Sequence, residues 1–488
     1  AGMGGMGGSM GPGPEPPAEG NYDGSEVYSA VGTQSALDIA SHPTHGIAVV
    51  GGFEQKVDFG GKTLTSIGKV DGYLLMLGND AKAKWVTHFG GAGEVILTNV
   101  AIRSDGYVVV AGKYSGMPTF GSKQLVDAGN QMTCALNGQT NLTCLNAFVA
   151  MIDPMGDHKW ALSFGDANSM QLIHDLALDP AGEHIGVVGA STAEFSLPGD
   201  NDPIKIELAN GAPRSPFAAM IDPMGDHVDW AHGLVSSQDA FFDAIAFDGL
   251  GHALVGGVRG GDGTFAGHPL SGLNRAVFFG LRLKSTVSFD AGTVAWAKPN
   301  WPLAAVNDIL LAPNGALYIA GTFLDEQGVT TVDLGTGELV SPDDVKHNYF
   351  LARFASAKDS DIQQATWVKV ASAYQAQDYF FTSAVKLSLD PWDNVLMSAV
   401  VHGAPTDFGK GPVGHVGGKD MAITKYASDG TLHWSKGFGA AGDDAAAGVV
   451  ANLTGQPILS GFFNGKIDFG GGEHSSLGDD VFVACFTP

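Results

Sequence analysis

Six tryptophans recur along this chain at nearly even intervals: Trp85, Trp160, Trp230, Trp296, Trp367 and Trp434. The gaps are 75, 70, 66, 71 and 67 residues. A globule built once has no reason to repeat a large aromatic at a fixed period. The spacing therefore predicts one supersecondary unit, duplicated along the chain.

Aligning on tryptophan brings out the rest of the unit. Upstream of it lie seven short apolar segments: DGYLLML (71–77), NAFVAMI (146–152), SPFAAMI (215–221), RAVFFGL (275–281), NYFLARF (348–354), DMAITKY (420–426) and DVFVACF (480–486). Each is long enough for one strand, and apolar enough to be covered on both faces. Turn formers separate them from tryptophan, as in DPMGDH at 153–158 and again at 222–227. Proline presets φ there, glycine supplies φ > 0, and aspartate bonds its own backbone. A second strand follows in the form W-x-x-x-F-G. Two more come after it across another glycine turn, as in NVAIRSDGYVVVAGKY (99–114). Four antiparallel strands per unit, repeated radially, predict an all-β fold: a seven-bladed β-propeller.

Seven third strands against six tryptophans leave one unit short. The last copy ends at Pro488, just after its third strand, and SEVYSAVG (25–32) supplies a matching strand with Tyr28 in the tryptophan slot. The N-terminal strand is thus expected to complete the last blade in a 3+1 closure, which removes free sheet edges. Residues 25–488 form the propeller in this reading. Residues 1–24 form a Gly/Pro/Met-rich tether or arm, too polar and flexible in composition to build a core.

Bulk composition narrows the function classes. Glycine is 70 of 488 residues while the hydrophobic share is an ordinary 44%. That pairing fits many tight turns between many short strands. The net charge is −25. It repels phosphate backbones and anionic headgroups, so neither nucleic acid nor a membrane surface is an expected partner. No apolar run reaches the ~18 residues of a membrane span. Cys134 and Cys144, ten residues apart in a polar insert, predict a local disulfide and hence a compartment outside the cytoplasm. Cys485 falls in a predicted strand and reads as a buried thiol.

At this point the chain resembles bacterial proteins built of the SBBP repeat, the seven-bladed β-propeller repeat, in the Gly-rich form found in myxobacterial exported proteins and lipoproteins. VDFGG (57–61) and IDFGG (467–471) carry the likeness, with DFG (407–409) and VDLG (332–335) as weaker echoes. The resemblance implies a fold and a location at the outer cell surface or outside a bacterium, with the periplasm as an alternative. It implies no single activity.

Long loops between second and third strands, and between blades, share one face in such a ring, and binding surfaces favour long loops. Three features there are candidates. Phe241, Phe242, Trp301, Tyr374, Tyr379, Phe380 and Phe381 would form a sticky patch for a protein or glycan if exposed together; otherwise they pack beneath their loops. Asp38, Asn99, Asp175 and Asp308 recur where the axis-lining strand begins. They would hold a hard cation such as Ca²⁺, or bond backbone amides locally. Lys386, at the same position, opposes a cation. His42 and His45 in HPTHG read as a solvated turn without partner ligands.

There is no G-x-S-x-G, H-E-x-x-H, C-x-x-C-H or Walker pattern. The expected function is an exported, non-enzymatic propeller presenting a binding or self-assembly surface, with residues 1–20 as an interlocking arm. The rivals are a carbohydrate-active or quinone-dependent enzyme with its site at the channel mouth, and a sensor or solute-binding ectodomain. No organic cofactor is expected in the leading reading.

Overall fold

The computed structural model describes residues 13–125, 133–136, 139–165, 169–200, 202–207, 214–236, 240–249, 252–259, 262–270, 275–282, 294–301, 305–324, 331–337, 339–340, 347–358, 360–373, 385–414 and 417–488. Their architecture is an all-β propeller of antiparallel blades. Sheet I holds Gln34–His42, Gly46–Phe53, Asp71–Leu77 and Ala83–Phe89. Sheet II holds Val95–Ile102, Val108–Tyr114, Asn146–Ile152 and His158–Phe164. Sheet III begins with Gln171–Leu178, Ile185–Ser191, Ser215–Ile221 and Val228–Ser236. Sheet IV holds Ala240–Phe247, His252–Arg259, Arg275–Arg282 and Val294–Trp301. Sheet V holds Ala305–Leu311, Leu317–Leu324, His347–Phe354 and Trp367–Ala373. Sheet VI holds Val385–Leu389, Val395–His402, Lys419–Tyr426 and Leu432–Phe438. Sheet VII holds Ala445–Ala451, Pro457–Asp468 and Glu473–Phe486, with Tyr22–Tyr28 as its outer strand.

Counted as four-stranded blades there are six, not the seven expected. Sheet III departs because a hairpin from the next unit, Gly263–Phe265 with His268–Leu270, pairs onto the end of its outer strand. Leu234 faces Phe265 and Ser236 faces Gly263, so the sheet runs to six strands. That pairing joins two units, and a period within one unit does not encode it.

Apolar side chains on both faces of middle strands such as Asp71–Leu77 and Asn146–Ile152 fill the space between neighbouring sheets. Ala48, Val50, Leu74 and Met76 of sheet I meet Val95, Leu97, Val110, Phe148 and Ala150 of sheet II in one buried cluster. This is why the third strands carry near-continuous apolar runs instead of alternation. The first strands touch in succession from sheet to sheet, and Ala445–Ala451 touches Gln34–His42.

The periodic tryptophans find their partners in the next unit's turns. Trp160 lies against Gly225 and Trp367 against Gly430; each glycine has positive φ, and a Cβ there would penetrate the indole. The ring nitrogen then donates to the same turn: Trp160 Nε1 to Pro223 O at 3.2 Å, and Trp367 Nε1 to Ser428 O at 3.0 Å. Gly156 lies over Trp85 with a Cβ position 3.1 Å from the indole, and there Thr87 Oγ1 donates to Gly156 O at 2.7 Å. A side chain on such a glycine would cost about 1–3 kcal/mol in overpacking, with backbone strain in addition.

At the other end of the strand, the Phe of W-x-x-x-F-G meets a second motif. Each strand 2–3 loop carries a short hairpin with a buried apolar knob, such as Phe59, Phe120, Phe265, Leu334, Phe408 and Phe469. Phe120 packs 5.1 Å from Phe89 of the preceding sheet, and Phe469 packs 5.4 Å from Phe438. The Asp before the knob closes the hairpin turn: Asp468 Oδ1 accepts from Gly470 N and Gly472 N at 2.7 and 3.0 Å. Asp407 does the same for Gly409 and Gly411.

The outer strand of sheet VII corrects one expectation. Tyr28 is not in the tryptophan slot. It pairs with Val481, the position that corresponds to Gly72 opposite Phe89, and its ring packs 5.2 Å from Phe59. Tyr28 therefore fills the phenylalanine slot. The tryptophan slot, opposite Cys485, falls to Gly24. The turn glycine that Trp434 needs is Gly20, with φ 62° and a Cβ position 2.6 Å from the indole. Glu19 N and Gly20 N both donate to Pro488 O, so the two chain ends together replace a turn.

Candidate functional site

The axis of the ring is lined by the first strand of each sheet. Six of these strands carry a register shift at the same place: Ala36/Asp38, Leu97/Asn99, Ile173/Asp175, Phe242/Ala244, Val306/Asp308 and Ala446/Gly448. The extra residue of a bulge re-aims its neighbours. It lets a polar side chain on one strand reach the backbone of the next.

The reach is direct. Asp38 Oδ2 accepts from Val100 N at 2.8 Å, and Asp175 Oδ2 accepts from Ile245 N at 2.8 Å. Asp308 Oδ2 accepts from Leu387 N at 2.6 Å, and its Oδ1 from Ile309 N at 2.8 Å. Asn99 Nδ2 donates to His174 O at 2.9 Å. Each of the four predicted axial residues thus ties its sheet to the next. Sheet IV has Ala244 at this position, and Asp243 just before it takes over by accepting from Asn307 Nδ2 at 3.3 Å.

Lys386 supplies the cation. Its Nζ lies 3.6 Å from Asp175 Oδ1, across the axis from its own sheet. Burial works against its charged form, and the charges of Asp175, Asp38 and Asp308 more than reverse this, leaving the ammonium above its ordinary value. The carboxyls respond in turn. Burial pushes Asp38 up to about 6 and Asp308 up to about 7, against the pull of Lys386, and Asp175 also moves up. The belt is a buried acid cluster with its own counter-charge. Oδ2 of Asp38, Oδ2 of Asp175 and both oxygens of Asp308 accept backbone N–H groups here, and Asp175 Oδ1 faces Lys386.

Sequence reasoning missed the bulge residues. His174 Nδ1 lies 2.8 Å from Phe242 O and 3.4 Å from Asp243 Oδ1. His174, Asp243 and Asn307 form a second polar row, one residue before the predicted one. The signal was present as polar pairs: Thr98-Asn99, His174-Asp175 and Asn307-Asp308.

The aromatic patch divides. Phe242 is fully buried, stacked edge-on to Phe265 at 5.0 Å, so it belongs to the core and not to an exposed patch. Strand alternation leaves its neighbour Phe241 half-buried, with Arg214 5.3 Å above its ring. Trp301 pairs with Ala276 at the edge of sheet IV. Tyr374, Tyr379, Phe380 and Phe381 lie outside the described residues.

Among the described residues, three metal-capable side chains converge only at Asp222, Asp226 and His227, in the 222–227 turn of sheet III. His227 Nδ1 lies 2.7 Å from Asp226 Oδ1, and its Nε2 lies 3.3 Å from the buried Asp229 carboxylate. His42 and His45 stack at 4.7 Å, and His45 donates to Ser104 O. Cys134 and Cys144 form the predicted disulfide, and Cys485 is a buried free thiol pushed up to about 11 by its burial. Asn452 Nδ2 donates to Asn79 O in the turn of sheet I and to Gln456 Oε1 in its own turn.

A cleft of about 660 Å³ lies on the opposite, tight-turn face. Pro16, Asp23, Asn79, Asp80, Asn452 and Gln456 contribute to its walls. No helix of the described residues is long and apolar enough to cross a membrane.

No family model matches the chain, and no curated protein matches it. Three solved structures resemble it at low identity. One is a protein of unknown function from Bacteroides caccae, at 13% identity and TM-score 0.33, covering 69% of this chain and 81% of that one. Another is the Dos1 propeller, at 7% identity and TM-score 0.38, covering 94% and 93%. A third is a europium-containing methanol dehydrogenase, at 9% identity and TM-score 0.33, also covering 94% and 93%. Likenesses of this size carry no functional argument.

Proposed function

We propose that this chain is an exported, non-enzymatic propeller that presents binding and assembly surfaces. In this reading the first four strands of sheet III count as a blade like the others. The ring then has seven blades, closed 3+1 by the N-terminal strand, as the SBBP resemblance implies. The Cys134–Cys144 disulfide supports an oxidising compartment outside the cytoplasm.

One observation carries the reading. The polar groups of the channel serve the ring itself: Asp38, Asp175 and Asp308 bind the backbone of the following sheet and surround Lys386. An axis used this way is an internal fastening, and interaction falls to the two outer faces. One face carries the strand 2–3 hairpins, with half-buried Phe241 nearby. The other carries the tight turns and residues 13–21.

Sedimentation of the full chain from nanomolar to high micromolar tests this. The expected outcome is a mass that climbs from the 50.4 kDa monomer with concentration. Intact-mass and metal analysis run alongside. A strictly monomeric chain that carries one equivalent of an organic cofactor would overturn the reading in favour of an enzyme.

A further inference from the structure

Residues 13–17 read Gly-Pro-Glu-Pro-Pro. Prolines at 14, 16 and 17 preset φ and favour an extended polyproline conformation, which makes no internal hydrogen bonds and leaves its carbonyls outward. This segment is seated on sheet VI, at the other end of the chain. Trp392 Nε1 donates to Gly13 O at 2.8 Å. Asn394 Nδ2 donates to Glu15 Oε1 at 2.6 Å and to Asp390 Oδ2 at 2.8 Å. Lys425 Nζ, with a fully buried side chain, lies 2.8 Å from Asp390 Oδ2 and 3.9 Å from Glu15 Oε1.

The seat is pre-built. Trp392 rests on Gly455 of sheet VII, where a Cβ would enter its ring, so the indole is held in place from below. Asp390 accepts from Trp392 N and Asn394 N at 2.9 and 3.0 Å, which shapes the turn that carries both side chains. An indole N–H aimed at a carbonyl of a proline-rich segment is a recognised mode of peptide capture. Here a buried cation and an amide add selection for a carboxylate two residues further on. The seat's polar groups come from residues 390–425, its floor from Gly455, and the segment from residues 13–17. No nearby covalent link enforces their union; the next tie is at Glu19 and Gly20 on Pro488 O.

We propose that Trp392, Asn394 and Lys425 form a binding site for an acidic, proline-rich segment, filled in cis by residues 13–17 and in trans by the same segment of a second copy. This rests on the assembly reading above and gives it a chemistry. Five residues beyond Ala18 span at most about 17 Å, so exchange requires two turn faces to meet. Each copy then fills the other's site, which is an isologous, two-fold pairing. At low concentration the tethered segment wins by its effective concentration, and exchange grows as the chain is concentrated.

The test uses the full chain carrying Glu15→Ala, with its melting curve recorded to confirm that it is folded. The probe is a fluorescein-labelled peptide, GPGPEPPAEG, matching residues 11–20. Saturable binding is expected, about threefold to fivefold tighter than to the wild-type chain, whose own segment competes. A peptide with Ala in place of the Glu that matches Glu15 should bind about threefold to fivefold more weakly, and adding Asn394→Ala to the chain should abolish binding. No saturable binding to the folded Glu15→Ala chain, or binding indifferent to Asn394→Ala, overturns the site. Light scattering separates the two levels. Wild-type assembly that is weakened by Glu15→Ala supports exchange. Equal assembly by both chains overturns exchange and leaves the assembly reading intact. A wild-type chain that stays monomeric at every concentration overturns both.

Discussion

Two buried ammonium groups sit in the same sheet and serve different ends. Lys386, on the first strand of sheet VI, faces the carboxylates of Asp175, Asp38 and Asp308 from three other sheets. Lys425, on the third strand, faces the fully buried Asp390 of its own sheet and Glu15 of the N-terminal segment. Every partner of Lys386 is fixed on a strand and also bonded to a neighbouring strand's backbone. One of the two partners of Lys425 lies on a terminal segment held by a few contacts. A buried charge is expensive unless its partners are pre-placed. The first arrangement therefore fastens the ring, and the second can tolerate a partner that leaves.

The largest effect is expected at Lys386. Lys386→Met leaves three buried carboxyls without their cation, and breaking a buried pair typically costs about 3–5 kcal/mol. Urea unfolding at pH 8 reads this directly. Lys425→Met should cost less, on the order of 1–3 kcal/mol. Asp390 keeps the amides of Trp392 and Asn394 and the Asn394 side chain as donors. Equal losses in the two variants would break the comparison.

Acid should sharpen it. Burial holds Asp38 up at about 6 and Asp308 up at about 7, above the ordinary 3.8. An acid raised in the folded state contributes its stability fully below the unfolded value, and loses it as pH climbs through the folded value. In the wild type this contribution falls between about pH 4 and about pH 7. Removing Lys386 takes away the charge that holds both groups down, so they rise further. The Lys386→Met deficit should be full at pH 8 and clearly smaller at pH 5, where the carboxyls take up protons. A deficit independent of pH would show that packing, not charge, is what Lys386 contributes.

How much of this was legible depends on whether the information repeats. The tryptophan period located the third strands: Asp71–Leu77, Asn146–Ile152 and Ser215–Ile221 have the bounds read from the apolar runs. Alignment also placed Asp38, Asn99, Asp175, Asp308 and Lys386 at one level of the axis, because each copy contributes one residue. The glycine under each tryptophan was in view in both DPMGDH turns, yet its partner lies a unit away, and local turn chemistry already explained it. Phe241 and Phe242 looked alike in sequence, and strand alternation sends only the second into the core. The hairpin that lengthens sheet III pairs between units, so no period reports it. Least legible was the seat of residues 13–17. Gly-Pro-Glu-Pro-Pro is low in complexity, and Trp392 lies 379 residues from the carbonyl it binds.

The smallest stability effect is expected where the functional effect is largest. Glu15 is partly exposed, and an ion pair of that kind is worth less than about 1 kcal/mol. Asp390 stays beside Lys425 when Glu15 is gone, so the buried cation keeps its main partner. Glu15→Ala should therefore leave the urea midpoint almost unchanged, while the Trp392 indole proton, which Gly13 O accepts, exchanges clearly faster than in the wild type. The two readouts should part here and coincide in Lys386→Met, where no segment is available to leave without the ring. If Glu15→Ala lowered global stability as far as Lys425→Met does, the N-terminal segment would be part of the fold's core fastening. The two lysines would then differ in location alone.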